Sequence, residues 1–326
     1  MEDLQSDISA CDFIDLFVSN SFADVKGLAG ADDTRVPIPD GWKEDVTAIL
    51  ELCRVEQSQI GGPEFSIEYR NVIYRVTHLD SVEPGGAYVL RQTKAHIRDF
   101  YSIGIPTHFV NALLDKKAVG LALICGGFGV GKTTTALSWL DARLKLHGGV
   151  ALAIEDPNET IIDGLHGKGR CIAINASRQT GGYQEHLIRA LRSGVDFIFL
   201  GEIRDAATAY EALNAGSNGK LILATYHALG IAEGLEKLIA QAETYTKSAA
   251  KLLANGLLGV MWQDLTDERN GSGKPYKRFA VETLLVSGEG AATAREKIRT
   301  GHISSLQQDI DQQATRGTWR PTTKGE

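Results

Sequence analysis

Gly126-Gly127-Phe128-Gly129-Val130-Gly131-Lys132-Thr133 is a complete GxxxxGK[ST] phosphate-binding loop. Each residue type answers a physical demand. Backbone N–H groups of a glycine-rich turn must come close to an anion, and the following helix must aim its positive N-terminus at it. Lys132 supplies a point charge, and Thr133 a hydroxyl for a phosphate-bound Mg²⁺. The flanking sequence gives the loop its setting. The apolar run 118–125 reads as a buried strand, residues 134–147 read as a helix, and Gly148-Gly149 stops it. Strand, loop and helix in that order predict an α/β nucleotide-binding domain whose cradle is residues 126–133 followed by Thr134.

Three more apolar runs downstream end in polar clusters, and in an open parallel sheet such tips converge on one edge. After Ala151-Leu152-Ala153-Ile154 comes Glu155-Asp156-Pro157-Asn158-Glu159, acids that can order metal-bound water or act as a general base, or simply form a turn. Gly201-Glu202-Ile203-Arg204-Asp205 follows Phe197-Ile198-Phe199-Leu200. It resembles a Walker B strand, whose terminal carboxylate serves a Mg·triphosphate, while Arg204 and Asp205 can also be read as a helix-start ion pair. Thr225-Tyr226-His227 follows Leu221-Ile222-Leu223-Ala224. A lone histidine at a strand end is either a satisfied structural group or, beside phosphates, a γ-phosphate sensor.

Upstream the pattern changes. Residues 12–20 and 42–57 read as helices, and 65–79 and 87–93 as strands joined through Pro84-Gly85-Gly86. This is a small α+β domain, with 101–106 as a linker and a boundary at 103. Domains of 1–103 and 104–326 follow. Near the end, Asn270-Gly271-Ser272-Gly273 signals a hairpin turn, two short helices close the fold, and the tail from Thr315 is expected to fray.

With 326 residues, 43% of them hydrophobic and 23% charged, the chain can bury a sizeable core. A net charge of −7 and the lack of a basic stripe argue against direct nucleic-acid binding. Cys11, Cys53, Cys125 and Cys171 form no CxxC pair, so neither a zinc module nor a disulfide framework is expected. No run has the length of a membrane helix, and the acidic start Met1-Glu2-Asp3-Leu4 is unlike a secretion signal, so a cytoplasmic setting is expected.

Together the four tips resemble the signatures of the secretion ATPase superfamily, the type II/IV secretion and pilus retraction ATPases, in its PilT/DotB-like branch. A Walker A loop, an aspartate box EDPxE, a Walker B box GE[MI]RD and a histidine box ending in TxH stand here in order. Leu191-Arg192, the stretch 294–301 and Arg91 have counterparts too, and the likeness covers the chain from about residue 65 onward. It implies a RecA-like ATPase domain behind a PAS-like N-terminal domain, binding ATP and Mg²⁺ and assembling into a homo-hexamer. It further implies that Lys132 holds the β/γ-phosphates, Thr133 and Glu202 serve Mg²⁺, Glu159 orients the attacking water, and His227 meets the γ-phosphate. Arg75 and Arg91 are the candidates for a cation acting across the subunit boundary, their plain alternative being surface charges on a sheet edge.

Two departures stand out. Ser193-Gly194-Val195 replaces an acidic-Asp-Pro stretch, and Thr225-Tyr226-His227-Ala228 replaces TLHT. The four-cysteine zinc module of extension motors is missing, and Val260-Met261-Trp262-Gln263 resembles Dot/Icm-type or conjugative ATPases more than pilus retraction motors. The expected activity is ATP hydrolysis powering a type IV secretion or conjugation machine, peripherally at the inner membrane through platform or core proteins. A pilus retraction motor is the alternative. A P-loop small-molecule kinase would need an Arg-bearing lid, and a non-catalytic nucleotide switch would have lost Glu159 or Glu202. No NKxD segment supports a GTPase.

Overall fold

The computed structural model describes residues 7–93, 97–177, 181–269, 275–288 and 290–318. Backbone contacts group the chain into two units, Met1–Ala95 with Glu155–Ile161 and Ile174–Gly182, and His96–Ile154 with Ile162–Ala173 and Tyr183–Glu326. The first unit thus takes in two mid-chain segments that a division at residue 103 assigns to the second.

The first unit holds β1 (Asp15–Val18), β2 (Ala23–Lys26), β3 (Arg35–Pro37), α1 (Lys43–Ile60), β4 (Glu64–Tyr69), β5 (Val72–Leu79) and β6 (Ala87–Gln92). The strands form an antiparallel sheet in the order β3-β2-β1-β6-β5-β4. Side chains alternate across it. Leu16, Val18, Phe65, Tyr74, Val76, Tyr88 and Leu90 pack with Val46, Ile49 and Cys53 of α1. Residues of the other parity, Asp15, Arg75 and Arg91 among them, turn to the opposite face, where Arg75 and Arg91 stand directly across from each other in the register. The strand-like stretch 65–79 is a hairpin, because Arg70 and Asn71 both adopt positive φ (49° and 60°) in a two-residue turn. Residues 12–20 are not a helix. Phe13 and Leu16 imitate a helical repeat, but Leu16 and Val18 satisfy a period of two, and β1 pairs on both sides.

In the second unit α2 (Thr107–Leu114) precedes β7 (Leu121–Gly126), α3 (Lys132–His147), β8 (Gly149–Glu155), β9 (Gly164–His166), β10 (Gly169–Asn175) and α4 (Gly182–Arg192). Then come β11 (Phe197–Leu200), α5 (Ala206–Ser217), β12 (Leu221–His227), α6 (Ile231–Ala242), α7 (Ala249–Gly256), β13 (Leu257–Arg269), β14 (Pro275–Leu285), α8 (Ala291–Arg299) and α9 (Gln307–Thr318). The sheet runs β14-β13-β7-β12-β11-β8-β10-β9. Its centre, β13, β7, β12, β11 and β8, is parallel, with hairpins β13–β14 and β10–β9 at its edges. This is the RecA-like α/β architecture expected.

Register aligns the strand tips, with His227 beside Gly126 and Leu200 beside both Ala224 and Ile154. Alternate residues Ala122, Ile124, Leu223, Phe197 and Phe199 share a core with Leu137, Leu140 and Leu144 of α3. The expected linker holds a short 3-10 turn, Phe100–Ser102, ahead of α2. Helix α9 keeps 315–318 helical where fraying was expected, and the turn 270–273 lies outside the described residues.

One buried cation joins α2 to α3. Arg143, 6% exposed, donates from Nη1 to the carbonyls of Leu113 (3.1 Å) and Asp115 (2.8 Å) and from Nη2 to Lys116 (3.4 Å). Trp139 Nε1 also reaches Leu113 O, at 3.1 Å. These donors meet the Leu113 carbonyl in the last turn of α2 and those of the two residues that follow the helix, where a cation is also favoured by the helix dipole. Replacement by methionine keeps the stem and deletes the donors. Arg143→Met should therefore cost about 2–4 kcal/mol of folding free energy by urea denaturation, and an unchanged midpoint would contradict this role.

A buried acid closes β8. Glu155 is 3% exposed, and burial, reinforced by Glu159, pushes its carboxyl up to about 8. The folded chain therefore keeps a proton that the unfolded chain releases above the ordinary value of 4.5. Stability from this group is full below that value and is lost as pH rises through about 8. Across that window the unfolding free energy of Glu155→Gln should fall less with pH than the parent's, measured by denaturation at pH 5, 7 and 8.5.

Candidate functional site

Strand β7 delivers the glycine loop to the edge where the parallel tips align. A Cβ on Gly126 would lie 2.5 Å from Gln263 O, so only glycine lets the chain leave the strand there. Gly131, at φ +84°, turns the backbone into α3, and no side chain caps that helix. The first-turn N–H groups of α3 thus start beside the loop, with Lys132 as the first helical residue and Thr133 and Thr134 next.

Lys132 is 8% exposed, and its ammonium has three acceptors: Gly126 O at 3.0 Å, Gly127 O at 2.5 Å and His227 Nδ1 at 3.3 Å. An ammonium only donates, so Nδ1 of His227 accepts. The other ring nitrogen, Nε2, lies 3.1 Å from Glu202 Oε1 and carries the hydrogen toward that carboxylate. This fixes one neutral tautomer. Burial and then the Lys132 charge hold the His227 pKa below the ordinary imidazole range, and burial lowers that of Lys132.

Glu202 spends its second oxygen on Arg204 Nε at 2.7 Å, while Asp205 caps α5 by accepting from Thr208 N at 2.8 Å. Above the histidine lies the ring of Phe128, 87% exposed, with its centroid 3.9 Å from the imidazole. Lys132, His227 and Glu202 therefore form one hydrogen-bonded chain across the ends of β7, β12 and β11.

The remaining candidates gather in the first unit. Glu159 accepts from Arg75 Nη1 at 3.0 Å, and Ser66 Oγ donates to Asn158 O at 2.7 Å. Arg91 grips the buried Asp15 with two bonds, Nε to Oδ1 at 2.8 Å and Nη2 to Oδ2 at 3.1 Å. Neither arginine is on a sheet edge, because β5 and β6 are interior strands. Arg75 and Arg91 are instead a like-charged cross-strand pair, each held by a carboxylate.

Two contributors were not singled out as site residues by sequence reasoning, Asp15 and Gln263, and Phe128, expected as part of the loop, adds a ring contact to His227. Gln263 had a signal, since it is a polar residue ending the apolar run that opens β13, as at the other four tips. Its Nε2 donates to Val130 O at 2.7 Å. Among the described residues no group of three or more His, Cys, Asp or Glu side chains could hold a metal, and no helix is long and apolar enough to cross a membrane.

Comparison with known proteins finds chains similar in sequence and in fold. The chain is 33% identical to the uncharacterized protein YggR of Escherichia coli over 62% of its own length and 60% of that protein's. Its fold matches the crystal structure of the pilus retraction motor PilT with bound ADP, at a TM-score of 0.71 and 23% identity, covering 93% of this chain and 88% of that one. It also matches the ATPase DotB of Legionella pneumophila, at 0.71 and 18%, over 98% and 90% of the two chains. Residues 59–314 match the family described as Type II/IV secretion system protein, and the chain belongs to that family.

Proposed function

We propose that this chain is a ring-forming ATPase that powers a type IV secretion or conjugation apparatus at the inner membrane. The observation that carries the reading is the Lys132–His227–Glu202 chain at the mouth of the glycine loop. A pilus retraction motor is the second reading, favoured by the 28% identity to the type IV pilus ATPase PilU of Pseudomonas aeruginosa, over 84% of this chain and 69% of that protein.

The residues fit a nucleotide. An uncapped helix N-terminus, a glycine loop and an ammonium meet at one point, the combination that triphosphates require. Thr133 and Glu202 would hold Mg²⁺, which when bound neutralises phosphate oxygens. The rest is done by the chain. Lys132 exchanges its three acceptors for phosphate oxygens, which frees Nδ1 of His227 to take up a proton. His227, held at Nε2 by Glu202, then donates from Nδ1–H to the terminal phosphate. Glu159 orients the attacking water, and Arg75, its ion-pair partner, sets the position of that carboxylate. Arg91, held by Asp15, is the cation offered to a neighbouring subunit of a homo-hexamer. The chain reaches the membrane through platform or core proteins of the machine it drives.

Lys132→Ala should abolish ATP hydrolysis with folding intact, and full turnover in that variant would end the ATPase reading. Glu202→Gln and Glu159→Gln should still bind ATP but turn over roughly 10²- to 10⁴-fold more slowly. Parent rates in both would overturn their roles.

Assembly has its own test. Arg91→Gln is combined with Asp15→Asn so that no buried carboxylate is stranded. This double variant should bind nucleotide yet hydrolyse slowly, and mixing it with Lys132→Ala subunits should restore part of the turnover, because some interfaces then join an intact loop to an intact arginine. Light scattering should find about six subunits per particle. A strictly monomeric, concentration-independent ATPase would sink the ring.

A further inference from the structure

Gln263 straps the glycine loop to β13. Its side chain is 1% exposed, Nε2 donates to Val130 O at 2.7 Å, and its own carbonyl oxygen packs where a Cβ on Gly126 would sit. One side chain and one backbone oxygen thus hold both ends of the loop. Folding alone gains little from this amide, since Nε2 satisfies Val130 O while Gln263 Oε1 is buried without a hydrogen-bond partner among the described residues, and the two effects oppose each other.

The strapped carbonyl belongs to the Val130–Gly131 peptide. In a trans peptide the C=O and N–H point in opposite directions. Drawing Val130 O outward toward β13 turns the Gly131 N–H inward, to the side where Lys132 and the first turn of α3 converge. We infer that Gln263 is a positioning residue for nucleotide binding, acting by fixing the direction of one phosphate-facing backbone N–H. The inference rests on the ATPase reading.

Backbone N–H groups of such loops cradle the phosphates nearer the nucleoside, which are held alike before and during reaction. Loss of the strap should therefore weaken binding more than it slows chemistry. Gln263→Met keeps the length of the side chain, removes the donor and removes the unpaired oxygen as well. Structural and functional roles then predict opposite behaviour.

The full-length parent, Gln263→Met and Gln263→Glu are titrated with a fluorescent ADP analogue, and each is melted and assayed with ATP. For Gln263→Met the inference expects affinity down about ten- to fiftyfold, KM for ATP up similarly, kcat within about twofold, and a melting temperature close to the parent's, because the donor lost by Val130 O is offset by removal of the buried unpaired oxygen. For Gln263→Glu, whose carboxyl can donate only when protonated, affinity relative to the parent should recover as pH falls from 8 to 6. Affinity within twofold of the parent in Gln263→Met, or a lowered melting temperature with kcat and affinity falling together, would overturn the inference. Should Gln263→Met fail to fold, a flat relative pH profile for Gln263→Glu would do the same. A parent that binds no ADP analogue overturns the ATPase reading itself, whereas a parent that binds while Gln263→Met binds equally removes only the strap.

Discussion

A buried ammonium ion must have acceptors, and the site is organised by where Lys132 finds them. Two are carbonyls of its own loop and the third is a ring nitrogen on the neighbouring strand. That third contact exists only because β7 and β12 run parallel with His227 beside Gly126, so the register of the sheet is also the geometry of the site. The tautomer of His227 then follows from charge, since one nitrogen meets a donor and the other an acceptor. Glu202 is drawn in by the resulting N–H. Each polar partner is thus specified by the one before it.

The first unit handles charge differently. Arg75 and Arg91 face each other across adjacent strands, a placement that is unfavourable for bare like charges. Asp15 and Glu159 offset it, and Asp15 sits nearly buried on β1 while Glu159 comes from the segment after β8. Two cations and two carboxylates therefore occupy one face of the sheet, opposite the apolar face covered by α1. Such an arrangement keeps the guanidinium groups ordered yet partly exposed.

What the sequence revealed depended on whether an interaction was local. The glycine loop, the three downstream tips and helix α3 were legible because an apolar run and its polar end, and for the loop the following helix as well, are contiguous. Strands β2 and β3 were not, being short with partly polar alternation, and β1 carried apolar residues that suit either a helix or a strand until its neighbours are known. Helix α4 and the β9–β10 hairpin were passed over because they interrupt the alternation of strand and helix. The Arg75–Arg91 pairing needs the register of β5 on β6, which no window of sequence contains. Gln263 was visible as a residue, but its use depends on a loop lying 133 positions away in the chain.

Helix α3 carries Lys132 in its first turn, and further along it grips other parts of the chain. Ser138 Oγ accepts the backbone N–H of Arg98 at 2.9 Å, Trp139 and Arg143 hold the last carbonyls of α2, and His147 Nε2 lies 2.6 Å from Leu114 O. These grips fall on residues 98 and 113–116, the stretch of chain that leads out of the first unit and into β7. A sixteen-residue helix is about 24 Å long and nearly incompressible along its axis. Helix α3 is therefore a strut that ties its first turn, where Lys132 sits, to the C-terminal end of α2 and to the backbone at Arg98.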